Sequence, residues 1–250
     1  MRAPLSRTAT SLLSIALAGL VLAACSSTTS HPAAAASTKP PKGPRVLVGT
    51  FELTSGHCTT ATAAPSGSYF DMLGKNGAGF LANPSGGCAD TDYTPLVAGT
   101  DGGLETGVFQ PNPATAFDAS GNALADSIIE PVSFFGTKFS VATQSPDPQT
   151  GVQVPAPKVI DTAGALSGNL SAWDAAYNHT YFNQGSPKPN GQYTGLTKPV
   201  SGTIACSGAF TLTWQSQIVG GPFNDFTGHW ILSGTFKPAK GTLASALGCS

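Results

Sequence analysis

SGAFTLTWQSQIVGGPFNDFTGHWILSGTFKP, residues 207–238, is the longest clean pattern in the chain, and its reading decides the fold. Phe210, Leu212, Trp214 and Ile218 share one parity, and Trp230, Leu232 and Phe236 share another run of the same kind after a turn-rich interruption. Successive side chains of a strand point to opposite faces, so this alternation predicts a β-hairpin with one face in a core. Trp214 and Trp230 are expected as buried neighbours across the two strands, with His229 on the opposite, solvent-facing side. The connection GGPFNDFTG, residues 220–228, combines glycines, a proline and an Asn-Asp pair, which is turn chemistry. At about nine residues it is longer than a usual hairpin loop, and Phe223 and Phe226 are expected to pin it to the core.

The rest of the chain repeats this language in shorter pieces. Residues 46–54 (VLVGTFELT) read as a strand with Leu47, Phe51 and Leu53 on one parity, and 69–73 (YFDML) as a second. A short strand near Val108 and Phe109, another at Ile128 and Ile129, and a run at 133–142 with Phe135, Phe139 and Val141 in parity follow. One helix is expected near 171–182. There Ser171 and Asp174 have capping-box spacing behind a staple residue, Leu170, and Trp173, Ala176, Tyr177 and Tyr181 fall at helical intervals. Short strands separated by frequent turn signals make the expected fold mainly all-β, an antiparallel β-sandwich or barrel-like domain with that one short helix.

Composition agrees. Charged residues are 10% of the chain, against roughly 25% in an average soluble domain. Glycine and proline supply 30 and 20 of the 250 positions, which disfavours long helices. With 40% apolar residues and a net charge of −1 the chain is not disordered by composition. Twelve thinly spread Lys and Arg give no basic patch, which excludes nucleic acid as a partner class.

The first residues carry a different signal. Arg2 and Arg7 precede an apolar run at 12–24 (LLSIALAGLVLAA), too short to span a bilayer and of the length of a secretory h-region. The run ends in Leu22-Ala23-Ala24-Cys25, which resembles the lipobox of bacterial lipoproteins. The resemblance implies cleavage before Cys25, diacylglyceryl transfer to its thiol, and acylation of the new amino terminus, so that residues 1–24 are a signal peptide. Two or more acyl chains make a stable anchor where one would be marginal. The expected location is the extracytoplasmic face of the cell membrane, with the membrane as partner through the lipid. Residues 25–44 (from Cys25, SSTTSHPAAAASTKPPKGP) form a Ser/Thr/Ala/Pro tether that could reach about 60 Å at about 3.1 Å per residue. A single β-rich domain is then expected over 45–238, with 239–250 a C-terminal tail tied down by Cys249.

Four cysteines remain after Cys25. An even number in an exported chain predicts two disulfides, and nearest-in-sequence pairing favours Cys58 with Cys88 and Cys206 with Cys249. No C-x-x-C spacing suggests a metal.

Catalytic signatures are absent from the sequence: it has no G-x-S-x-G, S-x-x-K, H-E-x-x-H, Walker or G-x-G-x-x-G motif. No cofactor is implied. Four candidates remain. His57 beside Cys58 could be a metal or haem ligand, against a surface histidine near a disulfide. Asp90, Asp92 and Asp101 could gather oxygen ligands around calcium, though they match no EF-hand loop and solvated turn acids are the simpler reading. Trp173, Tyr177, Asn178 and His179 could form an aromatic, amide-rich sugar platform, against core packing of the two aromatics on a helix face. Asn224, Asp225 and His229 could form a polar site at the main hairpin, although no serine is nominated for a Ser-His-Asp arrangement.

SGSYFDM, GTDGGLETGVFQPNP, YFNQGSPKPNG and QSQIVGGPFNDFTGHW resemble a group of secreted bacterial proteins without an assigned activity. That resemblance implies fold class and location. The expected function is therefore a lipid-anchored extracytoplasmic β-domain of the bacterial envelope that binds or displays something, an envelope glycan or a protein, without catalysis. A hydrolase or carbohydrate-active enzyme on an unfamiliar β-scaffold is one alternative. A carrier of metal, haem or a small apolar ligand is another.

Overall fold

The computed structural model describes residues 43–58 and 64–249; Cys25, the leader and most of the tether lie outside the described residues. In chain order the strands are β1 (Pro44–Leu47), β2 (Gly49–Leu53), β3 (Tyr69–Leu73), β4 (Tyr93–Pro95), β5 (Gly103–Glu105), β6 (Val132–Phe134) and β7 (Thr137–Thr143). They continue as β8 (Lys158–Thr162), β9 (Ala165–Asn169), β10 (Trp173–Tyr177), β11 (Thr180–Asn183), β12 (Lys198–Ile204), β13 (Ala209–Gln217) and β14 (Thr227–Pro238), followed by a helix α1 (Leu243–Leu247). All named pairings are antiparallel. The domain is all-β, as the alternation predicts.

The hairpin β13–β14 is the spine of a ten-stranded sheet ordered β1-β8-β9-β12-β13-β14-β2-β5, with β3 and β4 branching from β14. The twelve residues of β14 outrun either neighbour on that edge. Its first half, through Ile231, pairs with β3, and its second half, from Gly234, pairs with β2. Ser68 fills the fork: its hydroxyl donates to the Ser233 carbonyl and accepts from the Ser233 amide, both at 3.1 Å. A strand shared between two partners lets the sheet curl, and this one forms a half-barrel. A second sheet, β11-β10-β7-β6, packs against it.

The parity of residues 207–238 holds throughout. Phe210, Leu212, Trp214, Ile218, Trp230, Leu232 and Phe236 are all buried, as are Leu47, Phe51 and Leu53. Trp173 from β10 completes the contact between sheets, meeting Trp214 at 5.1 Å and Trp230 at 5.4 Å between ring centroids, both edge-on. Edge-to-face pairs of this kind contribute about 0.5–1.5 kcal/mol beyond burial. Phe51 with Phe210 and Phe236 forms a second aromatic knot further along β14. Phe223 does pin the long loop, packing against Phe134, Phe135 and Tyr177 at 5.6–6.1 Å.

Several expectations fail, for physical reasons. Val108 and Phe109 form no strand and stay exposed in the loop after β5, while Ile128 and Ile129 are fully buried in a loop with only an isolated bridge from Ile129 to Ala98. Residues 171–182 hold no helix. They form the hairpin β10–β11, whose two-residue turn is Asn178-His179 with φ of 48° and 60°. Left-handed conformation at both central residues is what a tight hairpin turn needs, and it takes Asn178 and His179 to do it without glycine. The strand was hidden because β10 is covered on both faces: residues 171–176 are all buried, so no polar alternation marks it. The short helix lies instead at 243–247, capped by Thr242 and closed by Gly248 in the left-handed region. In the run 133–142, Phe135 is not in register with Phe139 and Val141. It sits with Gly136 in the β6–β7 turn at φ 49° and is 44% exposed, while Phe134 takes the inward place.

The cysteine pairs are those nearest in sequence. Cys58 and Cys88 lie 5.6 Å apart between Cα atoms, and Cys206 and Cys249 lie 5.8 Å apart. The second staples α1 to the start of β13, and Leu247 of that helix is fully buried.

Candidate functional site

Three loops, 144–157, 184–197 and 218–226, meet at a cleft of about 540 Å³ whose lining includes Gln149, Thr150, Asn183, Lys188 and Thr194 as well as the apolar Val152, Pro189 and Val219. The volume lies within the usual range for small-molecule sites. The main hairpin holds one wall. Trp214 Nε1 donates to the Gln184 carbonyl at 2.8 Å, and Ser216 Oγ donates to the Gly185 carbonyl at 2.8 Å. Gly228, opposite Ser216, leaves room for the Gln184 side chain, since a Cβ there would collide with Gln184 Oε1. The tryptophans that fill the core thus also fix the loop that bears Lys188.

Lys188 is 7% exposed, and its Nζ donates to the Asn183 carbonyl at 2.8 Å and to Ser216 Oγ at 2.7 Å. Burial pulls its pKa down to about 7, against the opposing pull of Asp147. An ammonium has three donors, and two are occupied here. Asp147 is fully buried. It accepts from Asn183 Nδ2 at 2.6 Å and from the Thr150 hydroxyl at 2.6 Å and amide at 2.8 Å. Gln149 ties the opposite wall, accepting from the Asn183 amide at 2.7 Å and donating to the Val219 carbonyl at 2.7 Å. Most polar groups of the wall are spent on one another, which holds the cleft open in a fixed shape.

Behind the cleft lies Asp174 of β10, also fully buried. Burial pushes its carboxyl up to about 8; a hydrogen bond from Asn112 Nδ2 at 3.0 Å opposes the shift and Asp147 adds to it. Its Oδ1 and the Oδ1 of Asn112 both lack a partner among the described residues. A protonated Asp174 carries a donor where the ionised acid would have none, in keeping with the raised pKa.

The sequence candidates fare differently. Trp173 is fully buried in the core, Tyr177 is half-buried with its hydroxyl on the Phe134 carbonyl at 3.1 Å, and Asn178 and His179 form the turn. These four do not make a platform. Asn224 and Asp225 serve their own loop: Asn224 Oδ1 accepts from the Gly220 amide at 2.7 Å and its Nδ2 donates to Asp225 at 2.9 Å. His229 is not with them. It is 27% exposed rather than freely solvated, and it contacts Asp71 at 3.1 Å and Thr213 at 3.1 Å. Asp90 accepts from the Asp92 amide at 3.2 Å, whereas Asp101 accepts from Gln110 at 3.1 Å. Among the described residues no three His, Cys, Asp or Glu side chains come together as a metal set, so these acids do not assemble as a calcium site.

Sequence reasoning missed Asp147 and Lys188 because they lie on proline-broken loops with no periodicity, and Asn183 because it closes β11, just past the stretch read as a helix. The only signal was chemical: Lys188 and Asp147 are charges in a chain that has few.

An apolar space also exists under Phe223, lined by Phe70, Phe134, Phe139, Phe182 and Trp230, but it measures about 40 Å³, an order of magnitude below a ligand pocket. All this defines a disulfide-stapled β-sandwich with a preformed polar cleft. No family model matches the chain, and no curated protein or solved structure does.

Proposed function

We propose that this chain is a lipid-anchored, extracytoplasmic protein of a bacterial envelope whose β-domain binds a small hydroxyl- and amide-bearing ligand, of the envelope-glycan class, in the Lys188 cleft. The observation that carries this reading is the composition of the cleft. Amide, hydroxyl and ammonium groups share its lining with Val152, Pro189 and Val219, a composition that suits a sugar ring with polar edges and an apolar face. Among the described residues no carboxylate, imidazole or thiol lines it, and binding is the reading its lining supports. The leader that precedes Cys25 and the two cysteine pairs support an oxidising, extracytoplasmic location.

The cleft reading is tested with Thr194→Trp in the full chain. Thr194 is an exposed cleft residue, so the indole blocks the space without entering the core. Titration with N-acetylglucosamine oligosaccharides, followed by amide shifts in NMR spectra, should perturb residues 149–152 and 183–194 in the parent and leave them still in the variant. Equal binding by both proteins places the ligand elsewhere. The anchor is tested separately: Cys25→Ala should abolish acylation and leave the protein uncleaved or released to the medium, and continued detergent partition with cleavage before residue 25 would refute the lipobox.

A further inference from the structure

We propose that Asp71, His229 and Thr213 form an acid–base–nucleophile triad on the outer face of the large sheet, and that this face hydrolyses short-chain acyl esters. The inference concerns the side of β13–β14 opposite the tryptophans and is independent of the cleft.

Register builds the arrangement. Asp71 on β3 is paired directly with His229 on β14, and His229 directly with Gln215 on β13. Thr213 lies two residues from Gln215 on the same face, diagonal to the imidazole. His229 Nδ1 lies 3.1 Å from Asp71 Oδ2 and 3.2 Å from Oδ1, and Nε2 lies 3.1 Å from Thr213 Oγ1. With a neutral imidazole beside an ionised carboxylate, which can only accept, the ring proton sits on Nδ1 and Nε2 accepts the Thr213 hydroxyl proton. This is the polarity a nucleophilic triad needs. Exposure follows the same order: Asp71 is 3% exposed, His229 27%, and Thr213 half-buried. The acid is shielded while the base and hydroxyl are within reach of a substrate.

A histidine placed only to neutralise a buried aspartate would need the first contact alone. The second contact, to a hydroxyl at the other ring nitrogen, is what makes a relay. Oxyanion donors cannot come from the backbone of β13 here, because its amides serve the sheet. Side chains can supply them. Gln215 shares the face of Thr213, and its amide makes no hydrogen bond among the described residues; Ser201 stands directly across from Thr213 on β12. On the other flank Ile231 is paired with both Thr213 and Tyr69, whose ring meets Tyr93 edge-on at 5.5 Å. These half-buried side chains form a shallow apolar shelf, which suits an acetyl or similarly short acyl group.

In the reaction Thr213 Oγ1 bonds to the ester carbonyl carbon as its proton passes to His229 Nε2. The ester C–O bond then breaks, and the imidazolium proton leaves with the alcohol. Water attacks the acyl-threonine, gives one proton through Nε2 to Thr213 Oγ1, and releases the carboxylic acid. Ester and water become acid and alcohol, with no further reactant.

The test uses the full chain with p-nitrophenyl acetate and p-nitrophenyl palmitate, and a fluorophosphonate probe read by peptide mass. Acetate should be hydrolysed above the buffer rate and palmitate should not, and the probe should label Thr213. Thr213→Val and His229→Gln should each lower the rate at least about 100-fold, while Thr213→Ser retains it, and urea midpoints confirm that each variant folds. Asp71→Asn acts through positioning and should shift the pH profile of the residual rate. A folded parent that works at the buffer rate, labelling at another residue, or an unchanged rate in Thr213→Val overturns the triad.

Discussion

The indole rings of Trp214 and Trp230 lie on directly opposed positions of β13 and β14, 6.0 Å apart and 12° from parallel. Both are buried to within 1%, and Trp173 closes on them from the second sheet. Trp230→Ala therefore leaves a large hole at the contact between sheets and should cost about 3–5 kcal/mol, read from urea unfolding. In the parent, an aqueous quencher should reach none of the three indoles. A Trp230→Ala protein as stable as the parent would mean that the register is wrong.

The turn at Asn178 and His179 gives a sharper test, because a helix and a hairpin demand opposite outcomes. With φ of 60°, His179 is in a region that costs an ordinary residue about 1–2 kcal/mol and glycine nothing. After the greater entropy loss of glycine, His179→Gly should stabilise the domain by up to about 1 kcal/mol. In a helix the same change would instead destabilise by about 0.3–0.5 kcal/mol. Thermal melting followed by circular dichroism separates the two.

The disulfides close segments with sequence separations of 30 and 43 residues. On the chain-entropy model each restricts the unfolded chain by about 3.5–4 kcal/mol. Non-reducing peptide mapping should recover Cys58 with Cys88 and Cys206 with Cys249. Replacing Cys206 and Cys249 with serine should lower stability by about 2–5 kcal/mol and free α1 from β13, which faster amide exchange at Leu247 would register.

Asp174 and Lys188 should give the stability curve opposite slopes on its two sides. The folded pKa of Asp174, about 8, lies above its ordinary 3.8, so its contribution is full below 3.8 and is lost as pH rises through 8. That of Lys188, about 7, lies below its ordinary 10.5, so its contribution is full above 10.5 and is lost as pH falls through 7. Together they place a minimum between pH 7 and 8. In urea titrations from pH 4 to 10, Asp174→Asn should flatten the acid limb relative to the parent and Lys188→Met the alkaline limb. Parallel curves for parent and variant would show that the group ionises as it does in water.

What the sequence determined by itself was whatever depended on one buried face and one wet one. The parity of residues 207–238 fixed the hairpin, its inward tryptophans and the all-β class, because alternation survives only where the two faces see different solvents. Pairing of the cysteines by proximity was also legible. Tertiary structure decided the rest. β10 is covered on both faces, so Trp173 to Tyr177 lost its alternation and showed a chance helical spacing instead. Asp71 and His229 are 158 positions apart and become neighbours only because β14 is long enough to take β3 on the edge it shares with β2. Lys188 owes its lowered pKa to burial, which no spacing of residues encodes: an amine is ordinary in water and changes when loops and sheet close over it.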